Sequence, residues 1–384
     1  MTAPSAQRAR DVGDVARIFY GLATAALIGF IAWVGRDVLI PLIVAGFLCF
    51  LIYTLKEQVK QAPLIGRRLP NWLCYFVAFA VIAGVFLVLL SIIRQNVEAV
   101  SAAAPLYEAN LKRIAGDALS FVERSGLLPT DIMTVVQELQ TQAIGMITPA
   151  LRNVGAALRS TAASSVTIFL YTVFMLVERG RIFRKINILS GSGAQRKAVD
   201  ETIDEIARMV RQYISVKTVS NLVVAAAAYA SLTLIGVDFA GFWALLIFIL
   251  NFIPIVGAFL GILGPVLLAL VQPDGGGLQL ALLALVLIVA ADQVMSSVIE
   301  PRLMGKSLNL SPLVILVSLG VWGGLWGFAG MLLAVPMTVT VMIILTQFRP
   351  TRPIAVLLSD NGQIAPIRHA AIPRAGDRET IGAA

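Results

Sequence analysis

Long apolar runs alternate along this chain with short, mostly basic segments. Six runs have the length of one membrane span, at about 18–35, 38–55, 72–93, 164–178, 218–236 and 278–298. A helix needs about 20 apolar residues to cross roughly 30 Å of hydrocarbon. Because Leu, Ile, Val and Ala fill the runs without alternation of period two, helices are predicted rather than barrel strands. The pattern predicts an all-α polytopic membrane protein with about six full spans.

Two further apolar runs, at about 241–271 and 312–347, are too long for ordinary spans and are broken in the middle. The first break is NFIPIVG at 251–257, and the second, GVWGGLWGFAG at 320–330, has five glycines in eleven residues. Broken backbone at membrane depth is tolerated only where it is packed in protein or lines a cavity. We therefore predict two re-entrant helical hairpins that form an inverted repeat, with their tips meeting near the midplane. The alternatives are a proline kink in one tilted helix and glycines that serve close helix packing.

The distribution of basic residues predicts the orientation. Three basic clusters are assigned to the cytoplasm by the positive-inside rule. They lie in the N-terminal tail, after the second span and after the fourth span. If the long runs are hairpins, Arg302, Lys306, Arg349 and Arg352 also become cytoplasmic. We predict cytoplasmic N- and C-termini in the inner (plasma) membrane.

Five regions follow from this arrangement. We expect an N-terminal three-span region at 1–93 and an extracytoplasmic helical insertion at 94–163, which serves as a lid or an oligomerisation surface. The fourth span and a basic cytoplasmic segment occupy 164–217, a transport core with both broken hairpins occupies 218–347, and a disordered cytoplasmic tail occupies 348–384.

Composition excludes several classes of protein. With 58 % hydrophobic and 14 % charged residues, the chain is an integral membrane protein, and its net charge of +8 lies mostly in loops rather than in a nucleic-acid-binding patch. Cys49 and Cys74 lie in apolar runs and His369 lies in the tail, so neither a disulfide framework nor a metal site is predicted. No HExxH motif or nucleophile elbow occurs, so no catalytic residue and no cofactor are predicted.

The two breaks are the predicted solute path. At the first break, Pro254 and Gly257 free backbone groups and Asn251 offers both a donor and an acceptor. At the second break the candidate residues are four glycines, Gly323, Gly324, Gly327 and Gly330.

A polar stripe near the end of the last full span supplies candidate coupling or gating residues. Asp292 lies in an apolar run, where a carboxylate normally faces a cavity or a partner, and Gln293 and Ser296 share its region. A carboxylate at the membrane interface is the alternative. Glu300 is predicted to form an intracellular gate with Arg302 or Lys306, or else to lie in a solvated loop.

The segment before the fifth span carries Lys217 and Asn221 on one helical face. We interpret Lys217 as a snorkelling anchor followed by a polar residue.

Ordered motifs over about 205–340 resemble the autoinducer-2 exporter family. They are RQYISVKTVSN, LTLIGVDFA, NFIPIVGAFLGILGPVLLAL, DQVMSSVIEPRLMGKSLNLSPLVILVSL and GFAGMLLAVP. The resemblance implies an oligomeric multi-span permease that exports small solutes such as a furanosyl signalling molecule, and some relatives exchange cations for protons. The positions that match the family motifs are Asn251, Pro254, Gly257, Glu300, Pro301, Gly305, Lys306, Pro312, Gly327, Gly330 and Pro336. Ile255 and Ser311 depart from the family's usual Tyr and His, which removes polar groups near the path.

The leading hypothesis is a secondary transporter that exports a small polar organic solute, with autoinducer-2 as the candidate. The absence of GxxxxGK[ST] from the sequence makes an ion gradient, of H⁺ or Na⁺, or the solute's own gradient the expected driving force. The first alternative is a cation/proton antiporter that uses Asp292 and Glu300. An alternative from another class is a non-transporting membrane scaffold built on the outer helices. Expected partners are the solute, the coupling ion, the lipid bilayer and further copies of the chain.

Overall fold

A computed structural model describes residues 4–61, 70–125, 165–182, 184–186, 188–189, 193–304 and 309–362. Within these ranges the chain is almost entirely helical and contains no strand, which confirms the predicted all-α class. The helices are α1 (Pro4–Val34), α2 (Arg36–Gln61), α3 (Asn71–Ser125), α4 (165–182), α5 (Gly193–Ile235), α6 (Ala240–Leu250), α7 (Val256–Val271), α8 (Leu278–Val294), α9 (Glu300–Met304), α10 (Pro312–Thr346) and α11 (Arg352–Leu358), with a π-helical turn (Met295–Ile299) between α8 and α9.

Five helices in the described part of the chain are long and apolar enough to cross a membrane. They are Arg36–Lys60, Asn71–Val88, Arg196–Ile235, Leu278–Met304 and Pro312–Thr346. Shorter apolar helices are Phe19–Val34, Ala240–Leu250 and Val256–Val271. The chain is therefore a multi-pass membrane protein, while the predicted number of full spans remains a prediction.

Helix α3 is much longer than the third predicted span. It runs without interruption over 55 residues and includes Pro105 in its interior. At 1.5 Å per residue its length is about 80 Å, so well over half of it extends beyond a 30 Å hydrocarbon layer. The first part of the predicted insertion thus continues the span as one helix. The rest of the predicted insertion, residues 126–163, lies outside the described residues.

The first interrupted run folds back on itself at its break. A Cβ added at Gly261 would lie 3.2 Å from Ile247 Cγ1, and one added at Gly257 would overlap the carbonyl oxygen of Leu250. Gly257 at the start of α7 faces Leu250 at the end of α6, whereas Gly261, one turn later in α7, faces Ile247, which is earlier in α6. The two helices are therefore antiparallel. Their approach is close because these glycines lack side chains at the contact.

The second interrupted run also reverses direction, although α10 is long enough for a span. Its helical geometry breaks at Trp326 (φ −131°, ψ 15°) and Gly327 (φ 60°, ψ −138°). Trp322 Nε1 donates to Thr338 Oγ1 over 3.0 Å. In a straight helix these residues would be about 24 Å apart along the axis, so the two arms of α10 must pack antiparallel. Both long runs are helical hairpins; their depth in a bilayer and their relation as a repeat remain predictions.

Packing around the hairpins differs from the predicted meeting of their tips. Ile253 in the first break packs with Leu319 and Ala334, one on each arm of α10 and about two turns from its break. At the second break, Trp326 Nε1 donates to the Ala32 carbonyl of α1 over 3.0 Å. The tip of the first hairpin therefore contacts the two arms of the second hairpin, and not its tip.

The beginning of the predicted disordered tail is ordered. Helix α11 packs on α10, with Ala355 fully buried in a cluster that includes Tyr213 and Val335. An isolated bridge joins Leu310 to Ser359. This region closes the base of the second hairpin, and residues beyond 362 lie outside the described part.

Candidate functional site

A cavity of about 420 Å³ lies between α5, the first break and the end of α8. Its lining combines charged, amide and hydroxyl side chains with a few apolar ones. The lining residues are Lys217, Ser220, Asn221, Val224, Asn251, Ile253, Pro254, Ile255, Ala258, Asp292, Gln293, Met295, Ser296 and Glu300. The polar residues predicted at the first break and at the end of α8 are thus brought to one place.

Asn251 and Asp292 form the centre of the polar lining. Asn251 Nδ2 donates to Asp292 Oδ1 over 3.0 Å. The side-chain oxygen of Asn251 is buried and has no hydrogen-bond partner among the described residues, and the same holds for Ser220 Oγ. An unsatisfied buried polar atom costs about 1–3 kcal/mol. A bound polar molecule that supplies partners to Asn251 and Ser220 would recover this cost.

The backbone at the first break adopts a rare turn. Ile255 has φ 65° and ψ −60°, and the Val256 N–H donates to the Pro254 carbonyl over 2.7 Å. This is a γ-turn with positive φ, which is strained, all the more so for a β-branched residue. Such strain is most often found at functional sites, and here it places Ile255 and Pro254 in the cavity wall.

Glu300 forms an ion pair with Lys217, a partner that was not predicted for it; its predicted pairing with Lys306 remains a prediction. Lys217 Nζ lies 2.8 and 3.1 Å from the two Glu300 carboxylate oxygens, and the side chains are only 13 % and 15 % exposed. Lys217 is therefore a partly buried cavity residue and not a snorkelling anchor. Arg302 is exposed, and Lys306 lies outside the described residues.

Local geometry explains how Glu300 reaches α5. The π-helical turn between α8 and α9 directly precedes Glu300, and Gln293 and Ser296 on the same segment also line the cavity. Turns of this type are frequent at functional sites because the added residue redirects the side chains that follow.

Three residues of α5 were not among the predicted site residues. Lys217, Ser220 and Asn221 lie on one helical face, and Asn221 Nδ2 donates to the Phe248 carbonyl of α6 over 3.2 Å. The sequence signal that could have identified this polar face is the spacing of its residues, three and four apart, directly before an apolar run.

The glycines of the second break, Gly323, Gly324, Gly327 and Gly330, are not part of the described cavity lining. Gly330 and Gly323 instead let the arms of α10 approach, since added Cβ atoms would overlap the Trp322 carbonyl oxygen and crowd Met331 Cγ at 2.8 Å. Their place in the solute path remains a prediction.

A separate polar network ties α3 to the base of the first hairpin. The Tyr107 hydroxyl donates to Asp238, and burial, together with this bond, raises the pKa of Tyr107. Asn110 Nδ2 donates to the carbonyls of Val271 and Gln272 over 2.9 and 3.1 Å. The extended part of α3 is therefore fastened to the loops that follow α5 and α7.

Comparison with known proteins finds a matching family and several similar transport proteins. The family model described as AI-2E family transporter matches residues 22–350. The AI-2 transport protein TqsA of Escherichia coli is 30 % identical over 337 residues, covering 84 % of this chain and 90 % of that protein. A putative transport protein of Haemophilus influenzae is 27 % identical over 347 residues, covering 90 % of this chain and 96 % of that protein.

Proposed function

Because the chain belongs to the AI-2E transporter family, we propose that it is a secondary transporter that exports a small polar organic solute through the cavity at the first break. The observation that carries this proposal is the buried, unpartnered oxygen of Asn251 beside Asp292 in a cavity of about 420 Å³. A membrane protein retains such atoms at a cost, and a transported molecule with a hydroxyl or another donor group would satisfy this oxygen.

The charges of the lining favour a neutral or weakly cationic solute. Lys217 and Glu300 neutralise each other, so Asp292 leaves the cavity with one net negative charge when it is ionised. A strongly anionic solute would be repelled, whereas a polyhydroxylated one can donate both to the Asn251 side-chain oxygen and to Asp292. Autoinducer-2 is the candidate substrate, since one relative is named an AI-2 transport protein.

In this proposal the two hairpins re-enter the bilayer from opposite sides as an inverted repeat, and the solute binds where the first hairpin breaks. The repeat moves against the N-terminal helices, and an ion gradient or the solute gradient drives the cycle. The protein resides in the inner membrane as a homo-oligomer with both termini in the cytoplasm.

Labelling of single cysteines tests the topology. In a background without Cys49 and Cys74, Asp274→Cys should react with an impermeant reagent from outside, and Met304→Cys only from inside. The opposite labelling pattern would indicate that each long run crosses the membrane once.

A cation/proton antiporter is the second candidate, and it is favoured by the Asp292 carboxylate, which accepts from Asn251 and has no ion pair among the described residues. Proteoliposomes separate the two functions. With autoinducer-2 as the solute, Asn251→Leu should lower uptake by at least ten-fold and Asp292→Asn by only a few-fold, while Thr233→Ala, an exposed residue of α5 outside the lining, serves as the control.

With Na⁺ and an internal pH dye, the antiporter predicts that Asp292→Asn abolishes cation-coupled proton flux. Wild-type protein that moves neither autoinducer-2 nor Na⁺-coupled protons would reject both candidates as stated.

A further inference from the structure

The Tyr213 side chain places an unpaired polar group in the interior of the protein, next to the Lys217–Glu300 pair. Tyr213 is only 5 % exposed, and its hydroxyl has no hydrogen-bond partner among the described residues. A buried tyrosine hydroxyl usually has a partner, because an unpaired one costs free energy. We propose that Glu300 becomes this partner in a second conformation, in which α9 has moved by one helical turn along α5 and Glu300 has exchanged Lys217 for Tyr213. This exchange is a conformational step of the proposed transport cycle, so it rests on the proposed function.

Helix α9 lies antiparallel to the part of α5 that contains Tyr213. At the first residue of α9, Glu300 pairs with Lys217 at 2.8 Å. At its last residue, the Met304 carbonyl accepts from Gln212 Nε2 over 3.1 Å. The two contacts are separated by about 6 Å along α9 and by about 7.5 Å along α5. Tyr213 therefore lies within the stretch of α5 that α9 covers.

The distance between the two partners of Glu300 is one helical turn. Tyr213 and Lys217 are four residues apart on α5, so their side chains lie on the same face, one above the other. A displacement of about 6 Å along α5 would bring the Glu300 carboxylate from Lys217 to Tyr213. Glu300 is already near enough to act electrostatically on the Tyr213 hydroxyl. Shifts of one element past another by one turn occur in switching proteins, because packed side chains have a few discrete arrangements.

The π-helical turn before α9 offers a way to produce this movement. The Glu300 N–H donates to the carbonyl of Met295, five residues earlier and not four. The turn thus holds one more residue than a turn of α-helix, and its conversion to α-helix would move every residue that follows. Asp292 lines the cavity just before the turn, and Ser296 lines it within the turn. The same conversion would therefore change the solute site.

Melting temperatures in mixed micelles test the exchange without any solute. In otherwise wild-type protein, Tyr213→Phe removes a hydroxyl that has no partner, so the melting temperature should stay unchanged or rise. In Lys217→Met, the Tyr213 hydroxyl should become the donor to Glu300. There, Tyr213→Phe should lower the melting temperature by about 3–6 °C, because a hydrogen bond to a charged group is stronger than one between neutral groups. Lys217→Gln takes the place of Lys217→Met if that variant does not fold.

Uptake of autoinducer-2 into proteoliposomes tests the role of the exchange in transport. Tyr213→Phe should lower the rate of uptake by about ten-fold, because it removes the hydrogen bond that stabilises the second conformation. Tyr229→Phe, at an exposed tyrosine of the same helix, is the matched control. It should leave uptake unchanged and should affect the melting temperature equally with and without Lys217.

Three results would each overturn the inference. They are equal effects of Tyr213→Phe on the melting temperature in the two backgrounds, a lower melting temperature of Tyr213→Phe in otherwise wild-type protein, and unchanged uptake in Tyr213→Phe. Failure of the proposed function gives a different result. Wild-type protein that does not move autoinducer-2 would contradict the proposed substrate, while the melting temperatures would still show whether Glu300 exchanges its partner.

Discussion

Replacement of Lys217 by Met is expected to destabilise the protein, because it leaves the partly buried Glu300 without a counter-charge. The closest N–O distance of 2.8 Å gives a Coulomb attraction of about 6 kcal/mol at an effective dielectric constant of about 20. Desolvation of both groups offsets most of this attraction. Loss of one partner of such a pair costs about 3–5 kcal/mol. Since the cavity gives Glu300 some access to water, we expect about 3 kcal/mol.

A double-mutant cycle separates the pair from other effects of the substitutions. The single variants Lys217→Met and Glu300→Gln and their combination are compared by equilibrium unfolding in mixed detergent micelles. The double variant should be less destabilised than the sum of the single ones, with a coupling energy of about 2 kcal/mol. Lys197→Met, an exposed lysine on the same helix, serves as the control and should change stability by less than about 0.5 kcal/mol.

The reasoning fails if the coupling energy is below about 0.5 kcal/mol, which is the value expected for a solvated surface pair. Flux measurements on the same variants then show whether the pair also acts in transport. If the pair opens during the cycle, the stable double variant should transport at an altered rate. Unchanged flux in that variant would assign the pair a structural role alone.

Two further predictions concern the first hairpin and its attachment. Gly257→Ala should cost about 2–3 kcal/mol on unfolding, because the new methyl group overlaps the Leu250 carbonyl oxygen, whereas Gly324→Ala, with nothing within 4 Å, should change stability by about 0.5 kcal/mol or less. Equal effects in the same micelle assay would contradict the close helix approach. Tyr107→Phe should cost about 1 kcal/mol, since exposed Asp238 regains water, and should increase hydrogen exchange in the loop after α5; unchanged exchange there would show that the bond does not hold the loop.

The hairpins could be anticipated because their signals are local. Proline and glycine change backbone preferences within one or two residues, so the breaks at Pro254 and Gly327 are visible in the sequence. The predicted class and the candidate residues of the first break followed from the same signals. Hydropathy likewise located the main apolar helices, because each must match the thickness of the bilayer.

The Lys217–Glu300 pair was missed for the opposite reason. The two residues are 83 positions apart, and a lysine before an apolar run is equally typical of a snorkelling side chain. Arg302 and Lys306 are near Glu300 in sequence, but the π-helical turn turns Glu300 toward α5 instead. The spacing of charged residues along the sequence does not indicate how far this turn rotates the Glu300 side chain.

The outer half of α3 was predicted to be helical, but its continuity with the third span was not, because its composition is ambiguous. A polar helix beyond the membrane has balanced charges and a weak apolar stripe, which is also typical of a separate layer of short helices. Tyr107 and Asn110 of this part of α3 form hydrogen bonds to loops more than 130 residues away. Contacts between residues so far apart in the chain cannot be recognised from the local sequence around either residue.

The path of α5 explains why the cavity lies where it does. The C-terminal half of α5 contributes Val224, Ala228 and Leu232 to the core around the first hairpin and α8. Its N-terminal half contributes Tyr213 to the core around the base of α10 and α11. The cavity residues 217–221 lie on α5 between these two cores, where neither core fills the space. A movement of one core relative to the other would therefore change the shape of the cavity first. The Lys217–Glu300 pair lies where it would either oppose this movement or be broken by it.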